Sequence, residues 1–146
     1  MCALKSLLGL MLLIILILNA TTCESRRINK RYADAVFKAF KSQSTYYDAY
    51  VRTAIAPEAK LQQWGTASEL LYRSLSNISD NKVSDKLLVV IKQSLQQKSY
   101  DFATKIKLSN PNTINAIFIF NDIKPLALEI DCLQSAFEKH VKNKGY

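Results

Sequence analysis

Glycine is nearly absent from the interior of this chain, and that scarcity restricts the fold more than any other feature. Only Gly65 lies between Gly9 and Gly145, whereas apolar residues recur every three or four positions. Glycine weakens a helix interior, and apolar residues at this spacing cover one face of a helix. The sequence therefore predicts an all-α fold, a small bundle of five or six short helices after an N-terminal signal peptide.

The N-terminus carries an apolar run, "LLGLMLLIILIL", that follows Lys5. Its length suits the core of a signal peptide and falls short of the roughly 20 residues that a membrane span needs. The residues that follow the apolar run are compatible with signal-peptide cleavage after Ala20 or as late as after Cys23. An uncleaved anchor is the alternative, because the basic stretch "RRINKR" follows the run and positive charge tends to stay cytoplasmic.

These features predict a domain organisation for a secreted, extracellular chain. We expect a signal peptide at residues 1–20, a basic N-terminal arm at residues 21–31 and a single helical domain at residues 32–146. Removing the signal peptide takes away one lysine and no acid, so 19 basic residues face 12 acidic ones, a net charge of +7. Such a charge favours solubility and loose attraction to anionic surfaces.

The basic residues are scattered along the chain, which is typical of a solvated helical surface. A nucleic-acid reader more often has a dense basic stripe with interleaved aromatic residues, so we expect no nucleic-acid partner. An unknown extracellular protein or receptor is the expected partner, with an anionic glycan or lipid surface as the other option. Lys139, Lys142 and Lys144 are the candidate contacts for an anionic partner.

Cysteine usage depends on where the signal peptide is cut. Cleavage after Ala20 leaves Cys23 and Cys132, which would form an intrachain disulfide in an oxidising compartment. Closing a loop of about 110 residues would stabilise the monomer by about 2 to 4 kcal/mol. Cleavage after Cys23 leaves Cys132 alone, for a disulfide-linked dimer or a buried free thiol.

Asn77 begins an acceptor sequon for N-glycosylation, Asn77-Ile78-Ser79, within the polar stretch "SLSNISDNKVSD". The same residues suit a turn or a helix cap, since loops need such side chains. The two readings are compatible, and we expect a surface loop that carries a glycan.

The first two helices follow from apolar series and from Pro57. The first series advances by four residues at a time: Ile28, Tyr32, Val36 and Phe40. It resumes after "SQST", so one long helix or two would bury the same face. Pro57 is a favoured first-turn residue and opens a helix that we expect to end near Asn77.

The second half of the chain predicts the remaining helices. Ser84 is the expected N-cap of the next helix, with Asp85 in its first turn near the positive end of the dipole. The stretch "SYDFATKIKL" extends that helix or forms a fourth. The apolar run "INAIFIF" suits a helix or a strand, and we favour helix because no second strand is evident. Pro125 is expected to start or kink the final helix.

Catalytic and metal-binding patterns are sparse. The single histidine, His140, lies among lysines, where a cation at a helix C-terminus explains it. With one histidine and so few cysteines there is no zinc set, no Cys–His dyad and no glycine-rich phosphate loop. The sequence therefore predicts no enzyme activity, no catalytic residues, no metal site and no cofactor. Trp64, Tyr47 and Tyr50 are candidates for a ligand pocket, although aromatic residues at helical spacing more often form core.

Two stretches resemble known families. The stretch "YADAVF", directly after Lys30-Arg31, resembles the first six residues of hormones in the secretin, vasoactive intestinal peptide and growth-hormone-releasing-hormone family. That resemblance implies a prohormone or ligand processed after Lys30 and Arg31. The stretch "KLLVVIKQSLQQKSYDFATKI" is similar to a helix pair in the helical domain of the steroid receptor RNA activator protein, which implies helical geometry alone.

The combined interpretation is a secreted, non-enzymatic binding protein of a reproductive, salivary or defence secretion that acts through its helix faces. One alternative is a carrier that encloses a small hydrophobic ligand in a helical cavity. The other is the prohormone processed after Lys30-Arg31.

Overall fold

The computed structural model describes residues 28–52, 58–83 and 85–144, and these residues fold into four α-helices. The helices are α1 (Lys30–Tyr47), α2 (Glu58–Ser76), α3 (Lys86–Ser109) and α4 (Ala116–Lys144). A π-helical turn (Asp48–Arg52) extends α1, and a 3₁₀ turn (Asp80–Lys82) precedes α3. No strand occurs in these ranges, so the all-α class is confirmed.

The number of helices in the described ranges is smaller than the predicted five or six because two expected breaks are absent. The stretch "SYDFATKIKL" extends α3, and α4 continues through Pro125 without interruption. A proline inside a helix costs about 3 kcal/mol. Pro125 itself is exposed, while Ile123, Ala127 and Ile130 are buried on the same helix, so continuous packing offsets that cost. The signal peptide and residues 21–27 of the basic arm lie outside the described residues.

Consecutive helices run antiparallel. Between α2 and α3, Gln96 donates a hydrogen bond to Ser76 (2.9 Å) near one end of the pair, and Gln62 donates to the Pro111 carbonyl (3.4 Å) at the other. The same geometry joins α1 to α2 and α3 to α4, through these pairs: Gln43–Ser68, Tyr46–Gln63, Lys98–Glu129 and Lys105–Asp122. The result is an up-down-up-down arrangement, as short connections favour.

This arrangement gives the bundle two ends. The start of α1, the connection at residues 77–85 and the end of α4 share one end, which we call the sequon end after Asn77. The connection at residues 109–115 and the starts of α2 and α4 share the other, which we call the corner end. Since α3 has 24 residues at 1.5 Å each, the two ends lie about 36 Å apart.

The core is built around Trp64, which is fully buried on α2. Its ring lies 5.6 Å from that of Tyr50 and 4.8 Å from that of Phe102 on α3. Phe40 and Phe137 meet edge to face at 5.5 Å and join α1 to α4. Aromatic pairs of this kind contribute about 0.5–1.5 kcal/mol beyond the area they bury.

Two local predictions were wrong. Tyr32 is 40% exposed and the neighbouring Ala33 is buried in its place, whereas the other members of the predicted series, Ile28, Val36 and Phe40, are buried as expected. The N-cap of α3 is Asp85 rather than Ser84, because the Asp85 carboxylate accepts hydrogen bonds from the first-turn N–H groups of Leu87 and Leu88.

Candidate functional site

A groove with a volume of about 690 Å³ lies between α2 and α3. Ligand pockets commonly have volumes of about 300–1,000 Å³. The residues that line it come from both helices and from the corner end, and they are Gln62, Gly65, Thr66, Glu69, Tyr72, Arg73, Tyr100, Ala103, Thr104, Ile106, Lys107, Leu108, Asn110 and Pro111. The groove is thus a feature of the helix pair and not of the bundle interior.

Gly65 forms the floor of the groove together with Ile106. A Cβ atom at position 65 would lie 3.0 Å from the Cγ2 atom and 3.3 Å from the Cβ atom of Ile106. Glycine in a helix interior costs about 1 kcal/mol relative to alanine. The close approach of α2 to α3 explains why the chain has its one interior glycine here.

Tyr72 and Tyr100 form an aromatic wall of the groove. Their ring centroids lie 5.2 Å apart at an angle of 53°, and Tyr100 is half exposed. Tyrosine offers a large, rigid apolar face together with a hydroxyl that can exchange hydrogen bonds with a ligand. Such residues are enriched in protein recognition surfaces.

Polar and charged side chains complete the lining. Arg73 donates to Glu69 at 2.7 Å in an exposed pair one turn apart, and the Thr66 hydroxyl donates to the Gln62 carbonyl (3.2 Å). Lys107 is exposed at the corner end of the groove. Exposed pairs of this type contribute little to stability, so they can exchange partners with a ligand.

The corner at the end of the groove is held by hydrogen bonds of backbone groups with one another and with asparagine side chains. Asn110 has a left-handed backbone (φ 45°) and donates its N–H to the Ile106 carbonyl, which ends α3. The Asn112 side chain accepts from the backbone N–H groups of Ile114 and Asn115, while Asn115 Oδ1 accepts from the Asn112 N–H (2.7 Å). This reciprocal arrangement has the form of a capping box and fixes the start of α4.

Large apolar side chains at this corner face solvent. Leu108, at the end of α3, is 80% exposed. Three more belong to the first turns of α4 and the turn before it: Ile114 (89%), Ile117 (71%) and Phe118 (75%). We call these four residues the apolar corner. Exposed apolar clusters of this kind often mark a binding surface.

The sequon end contains a buried cation. Lys92 is 3% exposed, and its ammonium group lies 2.8 Å from a carboxylate oxygen of Asp80. Partial burial raises the pKa of Asp80, but the hydrogen bonds from Lys92 and Gln93 and the charge of Lys92 outweigh burial and hold that pKa below its ordinary value. This pair ties the 77–85 connection to α3.

The same end holds the single histidine. His140 Nε2 contacts Asp85 Oδ2, and both side chains are about one-fifth exposed. The histidine thus has a specific acidic partner, which reasoning from helix polarity alone did not predict. Within the described ranges, no group of three or more His, Cys, Asp or Glu side chains is placed to hold a metal ion.

The aromatic residues predicted to line a ligand pocket lie elsewhere. Trp64 and Tyr50 are packed in the core, Tyr47 is half-buried, and the groove lining includes none of the three. Burial raises the pKa of the Tyr50 hydroxyl, and the neighbouring Tyr46 adds to that shift. The Tyr50 hydroxyl and the Trp64 indole N–H are buried without a hydrogen-bond partner among the described residues.

The predicted C-terminal lysines lie at the sequon end, far from the groove's corner end. Lys139 is exposed, and Lys142 is exposed and pairs with Glu138 at 2.8 Å. Lys144 is the last residue of α4, and its side chain lies outside the described part of the structure. Their role as contacts for an anionic partner stays a prediction.

Processing and modification sites also cluster toward the sequon end. Lys30 and Arg31 are exposed in the first turn of α1, where Asn29 accepts the Arg31 N–H (3.0 Å). Asn77 and Ser79 are exposed just after α2. Cys132 is half-buried on α4. Its predicted partner, Cys23, lies outside the described residues, so the pairing, like processing and glycosylation, stays a prediction.

The groove and the apolar corner were not predicted from the sequence. One signal for the corner was present, because "INAIFIF" has too many apolar residues in succession for one helix face to bury them all. Ala116, Ile119 and Phe120 take the buried positions and leave Ile117 and Phe118 outside. The groove has no comparable signal, since it depends on how two helices pack.

Comparisons with protein-family models, with curated proteins and with solved structures find no match. Among the described residues, no helix is both long enough and apolar enough to cross a membrane.

Proposed function

We propose that this protein is a secreted, non-enzymatic binding protein that recognises an extracellular partner through the groove between α2 and α3. The observation that carries the proposal is the groove's composition. It combines the exposed face of Tyr100 with the exchangeable Glu69–Arg73 pair on two packed helices. Such a mixture of aromatic and polar groups suits recognition of another molecule's surface.

Secretion is supported by the N-terminal apolar run and by the positions of the cysteine and the sequon. The proposed Cys23–Cys132 disulfide would tie the N-terminal arm to α4 in an oxidising compartment. A glycan on Asn77 would extend from the sequon end, about 36 Å from the apolar corner along α3, so it would leave that end of the groove open.

The first experiment is expression of the full chain in cultured cells with a secretory pathway, followed by intact-mass analysis of the medium with and without reductant and glycosidase. The expected product begins at Thr21, carries a glycan that Asn77→Gln removes and contains one reducible intrachain bond. The matched control, Leu13→Arg in the apolar run, should stay in the cells. Retention of the unchanged chain inside the cells would refute the extracellular function.

The groove itself is tested by replacing Tyr100 with the photocrosslinking amino acid benzoylphenylalanine. The purified secreted variant is added to the extracellular fluid of the source tissue and irradiated. We expect a discrete crosslinked product that excess unchanged protein suppresses. The control has the same replacement at Leu70, an exposed residue of α2 that does not line the groove. This control should give no crosslinked product. Equal crosslinking at both positions would argue against the groove.

A carrier of a small hydrophobic ligand is the second candidate function, and one observation favours it. The groove between α2 and α3 has the volume of a ligand site. A panel of fatty acids and odorant-like compounds tests it by thermal shift. Stabilisation that Tyr100→Ala abolishes and Leu70→Ala preserves would support the carrier, and no stabilisation by any compound would refute it.

A further inference from the structure

We infer that the apolar corner is a docking surface for an anionic lipid bilayer. The inference rests on the proposed extracellular function and names a partner for the corner end of the molecule. Leu108, Ile114, Ile117 and Phe118 are each more than two-thirds exposed, although they belong to a bundle with a well-filled core. Large apolar side chains exposed in one region of a folded protein often mark a contact with a partner.

Local hydrogen bonds hold the backbone of the corner. Asn110 closes the end of α3 and the Asn112–Asn115 pair caps α4, while Asn115 Nδ2 also donates to the Ser109 carbonyl (3.3 Å). These bonds fix the backbone of the exposed residues. Because the surface is preorganised, docking needs little additional ordering of the chain.

Three lysines border the apolar corner. Lys107 precedes Leu108, and Lys124 lies two turns along α4 from Ile117 and therefore on the same face. Both are exposed. Lys105, one turn before Leu108, lies 3.4 Å from the exposed carboxylate of Asp122. An apolar centre with a cationic border complements the acyl chains and the phosphate groups of an anionic bilayer.

The kind of cation favours lipid over protein as the occupant. Lysine is depleted and arginine enriched in protein interfaces, whereas all three border residues are lysines. A lysine at a membrane surface covers the apolar boundary with its methylene stem and places its ammonium group among the headgroups. The net charge of +7 predicted for the mature chain acts in the same direction.

The test is co-sedimentation of the secreted protein with vesicles of equimolar phosphatidylcholine and phosphatidylglycerol, compared with pure phosphatidylcholine. We expect binding to the mixed vesicles and much weaker binding to the neutral ones. Phe118→Ser should lower the partition coefficient at least tenfold, since the loss of one buried aromatic side chain costs more than about 1.4 kcal/mol. Lys124→Gln should lower it about fivefold, the effect expected for one cation near a charged surface.

The matched controls are Leu70→Ser and Lys38→Gln, which change exposed residues on α2 and α1 away from the corner and should have little effect. Phe118→Trp introduces a fluorescent reporter at the corner, which detects binding directly and does not depend on a loss of binding. Because Trp64 is fully buried, an emission shift and quenching by nitroxide-labelled lipid would come from the new indole, and Leu70→Trp should give neither.

Absence of binding to phosphatidylglycerol vesicles by a protein that is secreted would overturn the lipid inference and leave the proposed function standing. Equal losses from Lys38→Gln and Lys124→Gln, with none from Phe118→Ser, would also overturn it, because attraction would then be a property of net charge alone. A third contrary result is a dimer in sedimentation analysis that Phe118→Ser converts to monomer without any lipid binding, since the corner would then bind a second copy of this chain.

Discussion

His140 and Asp85 join the end of α4 to the start of α3 across 55 residues of sequence. One oxygen of the Asp85 carboxylate contacts the imidazole, while the other accepts the backbone N–H groups of Leu87 (3.1 Å) and Leu88 (3.4 Å). A single side chain therefore caps one helix and anchors another. Helix capping and tertiary packing are coupled at the sequon end.

Asp85→Ala is expected to lower the free energy of unfolding by about 2 kcal/mol, because it removes both the cap and the contact with His140. Asp85→Asn retains a capping acceptor and should cost roughly half as much. Urea denaturation of the two variants, alone and combined with His140→Gln, measures the coupling. If the effects of Asp85→Ala and His140→Gln simply add, the two residues do not act together.

Asp80 predicts a specific pH dependence. Its folded-state pKa is held below the ordinary value of 3.8, so the unfolded chain binds more protons as the pH falls through this region. The resulting stabilisation is present above about pH 4 and is lost as the pH falls below 3.8. In urea denaturation series at acidic pH, Asp80→Asn should therefore show a shallower loss of stability. Lys92→Met should show the same flattening, and an unchanged slope in both variants would contradict the assignment.

Gly65→Ala is expected to destabilise the protein by about 1 kcal/mol despite the better helix propensity of alanine. The added methyl group would meet the Cγ2 and Cβ atoms of buried Ile106, which cannot move away without shifting α3. In an Ile106→Ala background the sign should reverse, because the obstructing Cγ2 atom is gone. Thermal unfolding of the two single variants and the double variant tests this, and a stabilising Gly65→Ala in the native background would contradict it.

The buried pair between α1 and α2 predicts an asymmetric response. Gln43 donates to Ser68 Oγ at 2.9 Å, and both side chains are at most 2% exposed. Ser68→Ala leaves the Gln43 amide without this acceptor and should cost about 1–3 kcal/mol. Adding Gln43→Met should recover most of the loss, since no buried polar group is then stranded. Ser42→Ala, an exposed change on α1, is the control, and a double variant less stable than Ser68→Ala would contradict the prediction.

The all-α class was predictable because helical periodicity is a local property that each segment expresses by itself. The beginning of α2 after Pro57 and the helical state of "INAIFIF" followed from the same reasoning, and the structure agrees within a few residues. The residues at which helices begin and end follow from the sequence less directly than the helical class does. Ser84 and Asp85 are both good capping residues, and the structure shows that the Asp85 carboxylate accepts the Leu87 and Leu88 N–H groups and also contacts His140 on α4.

Pro125 illustrates what the sequence alone could not decide. Its intrinsic preference is to end a helix, yet α4 continues because Ile123, Ala127 and Ile130 pack against the other helices. The cost of one proline is local, whereas the burial that offsets it depends on neighbours that are distant in sequence.

The chain's own residues determined the helical class, and they predict an extracellular protein without a recognisable catalytic motif. Only the tertiary structure decided that Trp64 is core, that Gly65 permits a groove, and that Ile117 and Phe118 remain exposed. The periodicity of apolar residues in the sequence indicates which residues can share a face of a helix. Which face is covered depends on the antiparallel packing of four helices, and that is fixed by contacts between residues far apart in sequence.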